Sequence, residues 1–442
     1  MNTRSNSWRV ADSTPSLPEV HSSLPIPRGP GFLGKLIAFA GPGFLVAVGY
    51  MDPGNWATDL AAGSQFNYLL LSVVLVSSLM AILLQSLALK LGIVVERDLA
   101  QACRDAYSRP VSLGLWILAE IGIAACDLAE VIGSAIALQL LFHIPLTLGV
   151  CITAGDVLLM LALQQRGFRY IEAIVVTLIA TISICFGLEI LYSHPQILPM
   201  LAGFLPRQTI VTNHAVLYIA VGILGATVMP HNLYLHSAIV QTRQYERTSE
   251  GKREAIRYCN IDSAIALTFA FFVNAAILVV AAAVFFRSGH HEVAEISDAY
   301  KLLSPLLGVT GASFLFAIAL LASGQNSTLT GTLAGQIVME GFLSIRLKPW
   351  LRRLVTRLIA IIPAVFISFF YGAEGTAKLL IFSQVILSMQ LSFAVFPLVQ
   401  FTSDKQRMGE FTNSALLKFV SWTVAVVIAL LNLWLLVAAF KG

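Results

Sequence analysis

From residue 36 onward, long apolar stretches alternate with short polar connections. The apolar stretches cover residues 36–61, 68–92, 113–141, 146–163, 170–192, 216–241, 262–286, 304–323, 351–371, 375–399 and 415–439. Each is close to the ~20 residues a helix needs to cross a hydrocarbon core. The pattern predicts an all-α integral membrane protein with eleven spanning helices. Composition agrees, with 57% hydrophobic and 12% charged residues, where a soluble domain carries about 25% charged. Residues 1–30 are polar and Ser/Pro-rich without the apolar core of a signal peptide, and they read as a disordered cytoplasmic tail.

Two spans are interrupted in the same way. VGYMDPGNWATD (48–59) and LGATVMPHNLYLH (224–236) both contain X-Pro-X-Asn near mid-span, at Asp52-Pro53-Gly54-Asn55 and Met229-Pro230-His231-Asn232. They open the first and second sets of five helices, residues 31–192 and 193–399, with 400–442 adding a loop and an eleventh helix. Proline removes a backbone donor and crowds the preceding turn, so both helices should unwind and expose carbonyls and half-helix ends. Irregular backbone at bilayer depth is tolerated only inside protein or beside a wet cavity. Broken helices at matching positions of two halves point to a transporter's midplane binding site; simple proline kinks are the plainer alternative, and they would need neither the carboxylate nor the asparagines.

The polar groups at the breaks suit a cation. Asp52 offers an anionic oxygen, Asn55 an amide oxygen, Met229 a thioether, and carbonyls such as that of Ala226 are freed nearby. Oxygens alone would suit Mg²⁺ or Ca²⁺, whereas one sulfur shifts the preference toward softer transition metals. Met229 in isolation would be core filler; beside Asp52 and Asn55 it is a candidate ligand.

Charge distribution orients the chain. With the N-terminus inside, 23 of the 28 Lys and Arg residues fall on the inner side, so the positive-inside rule puts the N-terminus in the cytoplasm and, for eleven spans, the C-terminus outside. The net charge of +4 is thereby accounted for by topology, and no nucleic-acid partner is implied. Five scattered cysteines without a C-x-x-C pair argue against a disulfide scaffold, a zinc site or an iron–sulfur site. The sequon at Asn326 lies on the inner side, where it would not be glycosylated.

Further polar residues sit inside the spans. Glu120, Asp127 and Glu130 follow one another at i, i+7 and i+10, on one helical face, and charges at that depth need wet or paired surroundings. With Asp52, His231 and the arginines Arg352, Arg353 and Arg357 they form either a proton route or a structural salt-bridge network. His236 and Asp59 lie near the breaks as pathway or gate candidates, each with a plain structural alternative. Gln85, Asn274 and Asn432 are intramembrane amides that serve a gate or bond neighbouring helices. His290, His291, Glu292 and Glu295 form a polar loop, and Asp156 has no evident partner. Residues 326–345 read as a cytoplasmic amphipathic helix.

MDPGNWATDLAAG (51–63), VMPHNLYLHSAIVQTR (228–243), SGQNSTLTGTLAGQIVMEGF (323–342) and LLIFSQVILSMQLSFAVFPLV (379–399) resemble the signature stretches of the Nramp family of proton-coupled divalent-metal transporters. The resemblance implies a LeuT-type fold, two inverted five-helix repeats plus an eleventh helix, in the cell membrane. It implies import of Mn²⁺, Fe²⁺ and similar ions with protons by alternating access, with no prosthetic group and no obligate protein partner. It also implies metal contacts from Asp52, Asn55, Met229 and the Ala226 carbonyl, with Gln384 joining as the site closes, and a proton route through Asp52, His231, Glu130 and Asp127. The family often has Ala three residues before the aspartate; here it is Gly49, of which only the carbonyl would be used. A sodium-coupled amino-acid symporter would find Asp52 repelling its substrate's carboxylate, and a magnesium transporter should lack Met229. No nucleophile–base pair or HExxH motif suggests an enzyme.

Overall fold

The computed structural model describes residues 15–441 apart from 28, 30, 154, 156–166, 292, 294, 310 and 346–348; side chains are also left aside at 349, 350, 352–354, 356, 357, 360, 367, 368, 371–374, 377 and 438–441. Among the described residues the structure is helical except for one two-residue parallel pairing of β1 (Leu24–Pro25) with β2 (Arg243–Gln244). Among the described residues, eight helices are long and apolar enough to cross a membrane, or nine if one bent pair counts as a span.

The first predicted span is three helices, α1 (Phe32–Phe39), α2 (Pro42–Gly49) and α3 (Pro53–Phe66). The break at Asp52 is as expected. A second bend, of 49° between α1 and α2, is not, and it turns on Gly41, whose φ of 131° excludes most side chains. The chain continues through α4 (Leu71–Val95), α5 (Leu99–Ala106) and α6 (Arg109–Phe142) to α7 (Leu146–Thr153) and α8 (Phe168–Ser193). Half of the fourth predicted span, with Asp156, lies outside the described residues. The sixth span is α9 (His214–Thr227) and α10 (Pro230–Ile239), parted at Val228 and Met229. Then come α11 (Ser249–Ala281), α12 (Ile296–Leu307), α13 (Ala312–Leu343), α14 (Pro349–Thr402) and α15 (Ala415–Lys441). The α6 helix packs on α13 and α14, and α11 packs on α2, α3 and α4.

Three expectations are corrected. Residues 326–345 are no separate cytoplasmic helix, because α13 runs unbroken to Leu343 with nearly all of that half buried. Its Ser, Thr, Gly and Gln content lowers hydropathy, yet small residues let helices approach closely: a β-carbon at Gly324 would lie 2.2 Å from Ser134 Oγ, and one at Gly341 2.5 Å from Ala100 Cβ. Residues 372–374, expected to connect the ninth and tenth spans, are helical within α14. Within the predicted tail, the described residue Leu17 is buried in the main apolar core, where a disordered segment would leave it exposed.

Candidate functional site

Proline placement builds both breaks. Pro53 and Pro230 are the first residues of α3 and α10, where a missing N–H costs nothing. Each proline also removes the donor that would have reached the carbonyl four residues earlier, which is Gly49 in one helix and Ala226 in the other. The carbonyls left inside the first break are largely taken by side chains. Tyr50 O accepts from Asn274 Nδ2 at 2.8 Å, and Met51 O accepts from Trp56 Nε1 at 3.2 Å and from Ser323 Oγ. Trp56 is pinned edge-on between Phe186 and Phe316, which ties α3 to α8 and α13.

Asp52 caps α3. Its Oδ1 accepts from Asn55 N at 2.9 Å and from Asn55 Nδ2 at 2.6 Å, a pairing suited to a helix N-terminus. The same Nδ2 donates to Ala226 O across the interface at 3.0 Å, so one amide bridges the two broken helices. Asp52 Oδ2 is buried with no hydrogen-bond partner, and so is Gln384 Oε1. Gln384 lies directly over the first break: a β-carbon at Gly54 would fall 1.7 Å from its Nε2 and 3.0 Å from Asp52 Oδ2. Met229 stands at the second break in a small cluster with Cys126 and Leu387. Asp52, Asn55, Ala226 and Gln384 are thus drawn together, with Met229 three residues beyond Ala226 at the second break, and each is no more than 1% exposed.

The two motif asparagines are not equivalent. Asn55 faces the junction, whereas Asn232 donates to Val46 O at 3.4 Å and fills the space beside Gly49, where its Nδ2 would lie 2.3 Å from an added β-carbon. That contact accounts for glycine at 49.

On the α6 side, Cys126 Sγ lies 3.7 Å from His231 Nε2 and 3.5 Å from Glu130 Oε1. Glu130 also accepts from Ser327 Oγ at 2.9 Å. Asp127 and Glu130 both face Gly331 of α13. The structure therefore brings His231, Glu130 and Asp127 together, whereas Glu120 is half-buried and takes Trp116 Nε1 at 3.1 Å. The side chains of Arg352, Arg353 and Arg357 lie outside the described residues.

Beyond the breaks the side chains toward the end bearing the N-terminus are closely packed. All of α10 is buried. His236 Nδ1 meets Gln85 Oε1 at 2.9 Å, and Gln85 donates to Tyr50 OH at 2.7 Å, which gives both gate candidates defined partners. Tyr234 packs edge-on to Phe342 at 5.8 Å, and Leu99 N donates to Ser237 Oγ at 2.9 Å. Arg243, fully buried, pairs with Glu172 at 2.7 Å and donates to Ala40 O at the α1–α2 bend. Asp262 accepts from Gly43 N at 2.7 Å and from Gly41 N. Asp59, the other candidate beside the first break, is buried within α3. Asn432 clasps Ser388 and Ser392 across α14 and α15, the interhelical role of a buried amide. His290 and His291 are exposed, and Glu292 lies outside the described residues.

Sequence patterns gave no role to Tyr50, Cys126, Ser323 or Ser327. The two serines lie in the quoted 323–342 stretch, whose density of small polar residues inside an apolar helix is the available signal.

The chain matches the Nramp family, described as natural resistance-associated macrophage protein-like, over residues 43–438. A divalent metal cation transporter MntH of Listeria innocua is 66% identical over 430 residues, covering 97% of this chain and 96% of the relative. A protein of the same name from Nostoc sp. is 62% identical over 431 residues, with 98% of each covered. A crystal structure of a mutant Eremococcus coleocola manganese transporter superposes with TM-score 0.90 at 44% identity, over 97% of this chain and 92% of that one. Mhp1, a nucleobase-cation-symport-1 family transporter, shares the fold alone, with TM-score 0.58 at 16% identity over 91% of this chain and 92% of Mhp1. Paired helix breaks, near full-length identity and a shared fold agree: this chain belongs to the Nramp family.

Proposed function

We propose that the protein imports divalent transition metals, Mn²⁺ and Fe²⁺ among them, across the cell membrane by alternating access, with protons moving alongside. The observation that carries this is Asp52 Oδ2, a buried carboxylate oxygen without a hydrogen-bond partner between two helix breaks. A buried anionic oxygen is costly unless something positive meets it. The surrounding donors fit a cation: Gln384 Oε1 is also unpartnered, Ala226 O faces Asn55, and Met229 supplies sulfur. The Asn55 amide lies between Asp52 Oδ1 and Ala226 O; a metal ion binding there would take those oxygens and turn the amide oxygen inward. The names of the relatives, a divalent metal cation transporter and a manganese transporter, support this substrate class, and a transporter rather than an enzyme.

The membrane potential contributes about 2.3 kcal/mol per charge per 100 mV, so two metal charges gain about 4.6 kcal/mol at that voltage, inside negative. Import is favourable before any proton contributes. Protons would pass from Asp52 and His231 to Glu130 and Asp127 and on toward an arginine-paired carboxylate, with Arg352, Arg353 and Arg357 as candidate partners. The positive-inside count supports a cytoplasmic N-terminus and an outer C-terminus.

Mn²⁺ uptake into proteoliposomes carrying an internal pH dye tests this. Wild type should take up Mn²⁺, Asp52→Asn should abolish uptake, and Glu130→Gln should weaken the accompanying pH change more than metal entry. Uptake by Asp52→Asn at the wild-type rate would overturn the site.

A further inference from the structure

We propose that residues 16–25 are a latch that holds the cytoplasmic side of the transport route shut and must let go of one partner for that side to open. The inference rests on the alternating-access reading above and adds a device to it. The segment has two grips. Ser16 Oγ donates to Asp98 Oδ2 at 2.6 Å, and Leu17 N donates to Glu340 Oε2 at 2.9 Å. Gln336, one turn before Glu340, donates to Glu19 at 3.4 Å and to Glu340 at 2.9 Å. This first grip therefore holds the N-cap of α5 and the end of α13.

The second grip holds the end of the broken sixth span. Ser22 N donates to Gln241 O at 2.9 Å, just past α10, and β1 pairs with β2 two residues on. A tight turn joins the grips, with Val20 N and His21 N both donating to Leu17 O at 3.1 Å. The peptide thus spans from α10, which carries the site's second break, to α13 and α5, with hardly any slack between.

The contact is built as an interior. Ser16, Leu17, Asp98 and Glu340 are each no more than 8% exposed, although a Ser/Pro-rich tail would by composition stay in water. Leu17 sits at φ 53°, a region costly for a side chain with a β-carbon and kept only where the surroundings enforce it. The enforcing contacts are those of its N–H with Glu340 and its side chain with the core. The latch lies over the closure formed by Tyr234 with Phe342 and Ser237 with Leu99. Parting α10 from α13 therefore requires one grip to release.

The test uses full-length protein in lipid nanodiscs, comparing wild type, Ser16→Asp/Leu17→Asp, a chain lacking residues 2–22, and Leu17→Met as the conservative control. Hydrogen exchange is followed in 98–106, 230–244 and 336–343. Loss of the latch should speed exchange there by about tenfold or more, leave α6 and α11 protected, and spare Leu17→Met. In proteoliposomes the same variants should raise the KM for external Mn²⁺ several-fold, because fewer molecules remain closed to the inside and able to accept external metal. Unchanged exchange in both disrupted chains would overturn the latch. So would acceleration spread evenly through α6 and α11, which would make the tail a general structural part. Exchange decides the latch without transport, so a wild type that moved no Mn²⁺ would sink the transport reading alone.

Discussion

Met229→Leu isolates the sulfur. Met229 is fully buried against Cys126 and Leu387, so truncation to Ala would open a cavity costing about 2–5 kcal/mol and confuse chemistry with packing. Leucine nearly conserves volume, at a cost below about 1.5 kcal/mol, and removes the thioether alone. The proposed donor set is four oxygens, from Asp52, Asn55, Ala226 and Gln384, plus this sulfur. Without it a softer ion loses a ligand, whereas Ca²⁺ or Mg²⁺ loses next to nothing. One ligand contributing about 1.4–2.7 kcal/mol corresponds to about 10–100-fold in affinity. In proteoliposomes, Mn²⁺ uptake by the Leu variant should need at least ten times less Ca²⁺ for half inhibition than wild type, on the order of that single ligand, with thermal stability close to wild type. If the Leu variant folds and discriminates as well as wild type, the sulfur argument is wrong and an oxygen-only site with different selectivity must be considered.

Gly54→Ala should fold, since its β-carbon meets the movable end of the Gln384 side chain at 1.7 Å and Asp52 Oδ2 only at 3.0 Å, but it pushes the Gln384 amide aside; Mn²⁺ binding by calorimetry should weaken about tenfold or more, as for loss of at least one ligand, and unchanged affinity would remove Gln384 from the site. Gly133→Ala has no such escape, because its β-carbon would come 2.2 Å from the Pro53 ring; a loss of about 1–3 kcal/mol should show as a lower Tm in detergent, and an unshifted Tm would refute the close α3–α6 contact. Burial raises the Asp98 carboxyl to about 6 against bonds from Ser16 and Gln101 and the charge of Arg104. The folded chain therefore holds this proton more tightly than the unfolded one, and stability falls as pH rises from about 4 to 6, the penalty staying in full above that. Asp98→Asn keeps the cap and should stabilise by up to roughly 3 kcal/mol above pH 6; a Tm difference from wild type that does not grow between pH 4 and 7 would disprove it. Gly49→Ala should destabilise by about 1–3 kcal/mol by leaving the buried Asn232 amide unpaired, and Asn232→Val should recover most of that loss; additive effects would show the two residues are uncoupled.

Much of this was legible from residues 48–59 and 224–236. Two X-Pro-X-Asn breaks in matching spans located the junction because proline's lost donor acts locally, whatever surrounds it. The same reasoning picked out Asp52, Asn55, Met229 and the Ala226 carbonyl, of which Asp52, Asn55 and Ala226 are joined by hydrogen bonds and Met229 lies at the second break. It gave Asn232 no role beyond its place in the shared motif, since spacing records position along a helix and not the direction a side chain meets its neighbour. The half of α13 from 326 onward was misplaced because hydropathy scores Ser, Thr and Gly as polar, while a helix buried on all sides rewards their small size. The bend at Gly41 depends on Asp262 and Arg243, more than two hundred residues away, and no local window contains that information. The ordered tail was missed for the same reason, since its hold lies in α13 and β2.

The charge balance at the junction explains why a cation and a proton would share it. The starts of α3 and α10 point at the site with partial positive charge, and the ends of α2 and α9 with partial negative charge, so the half-helix ends largely cancel. Asp52 is what remains. No lysine or arginine pairs with it among the described residues, and a bare buried carboxylate is too costly to persist. On the proposed reading, either a proton or a metal ion supplies the missing charge, and the arrival of one releases the other. A released proton needs an acceptor that is near but outside the ligand set. His231 stands two residues beyond Met229, and Cys126 touches both His231 and Glu130. The carboxylates of α6 thus meet the junction through Cys126 and His231, whereas Asn274 of α11 meets it through Asn55 and the Tyr50 carbonyl, so that on the proposed reading a proton has contacts to follow that the metal ligands do not share.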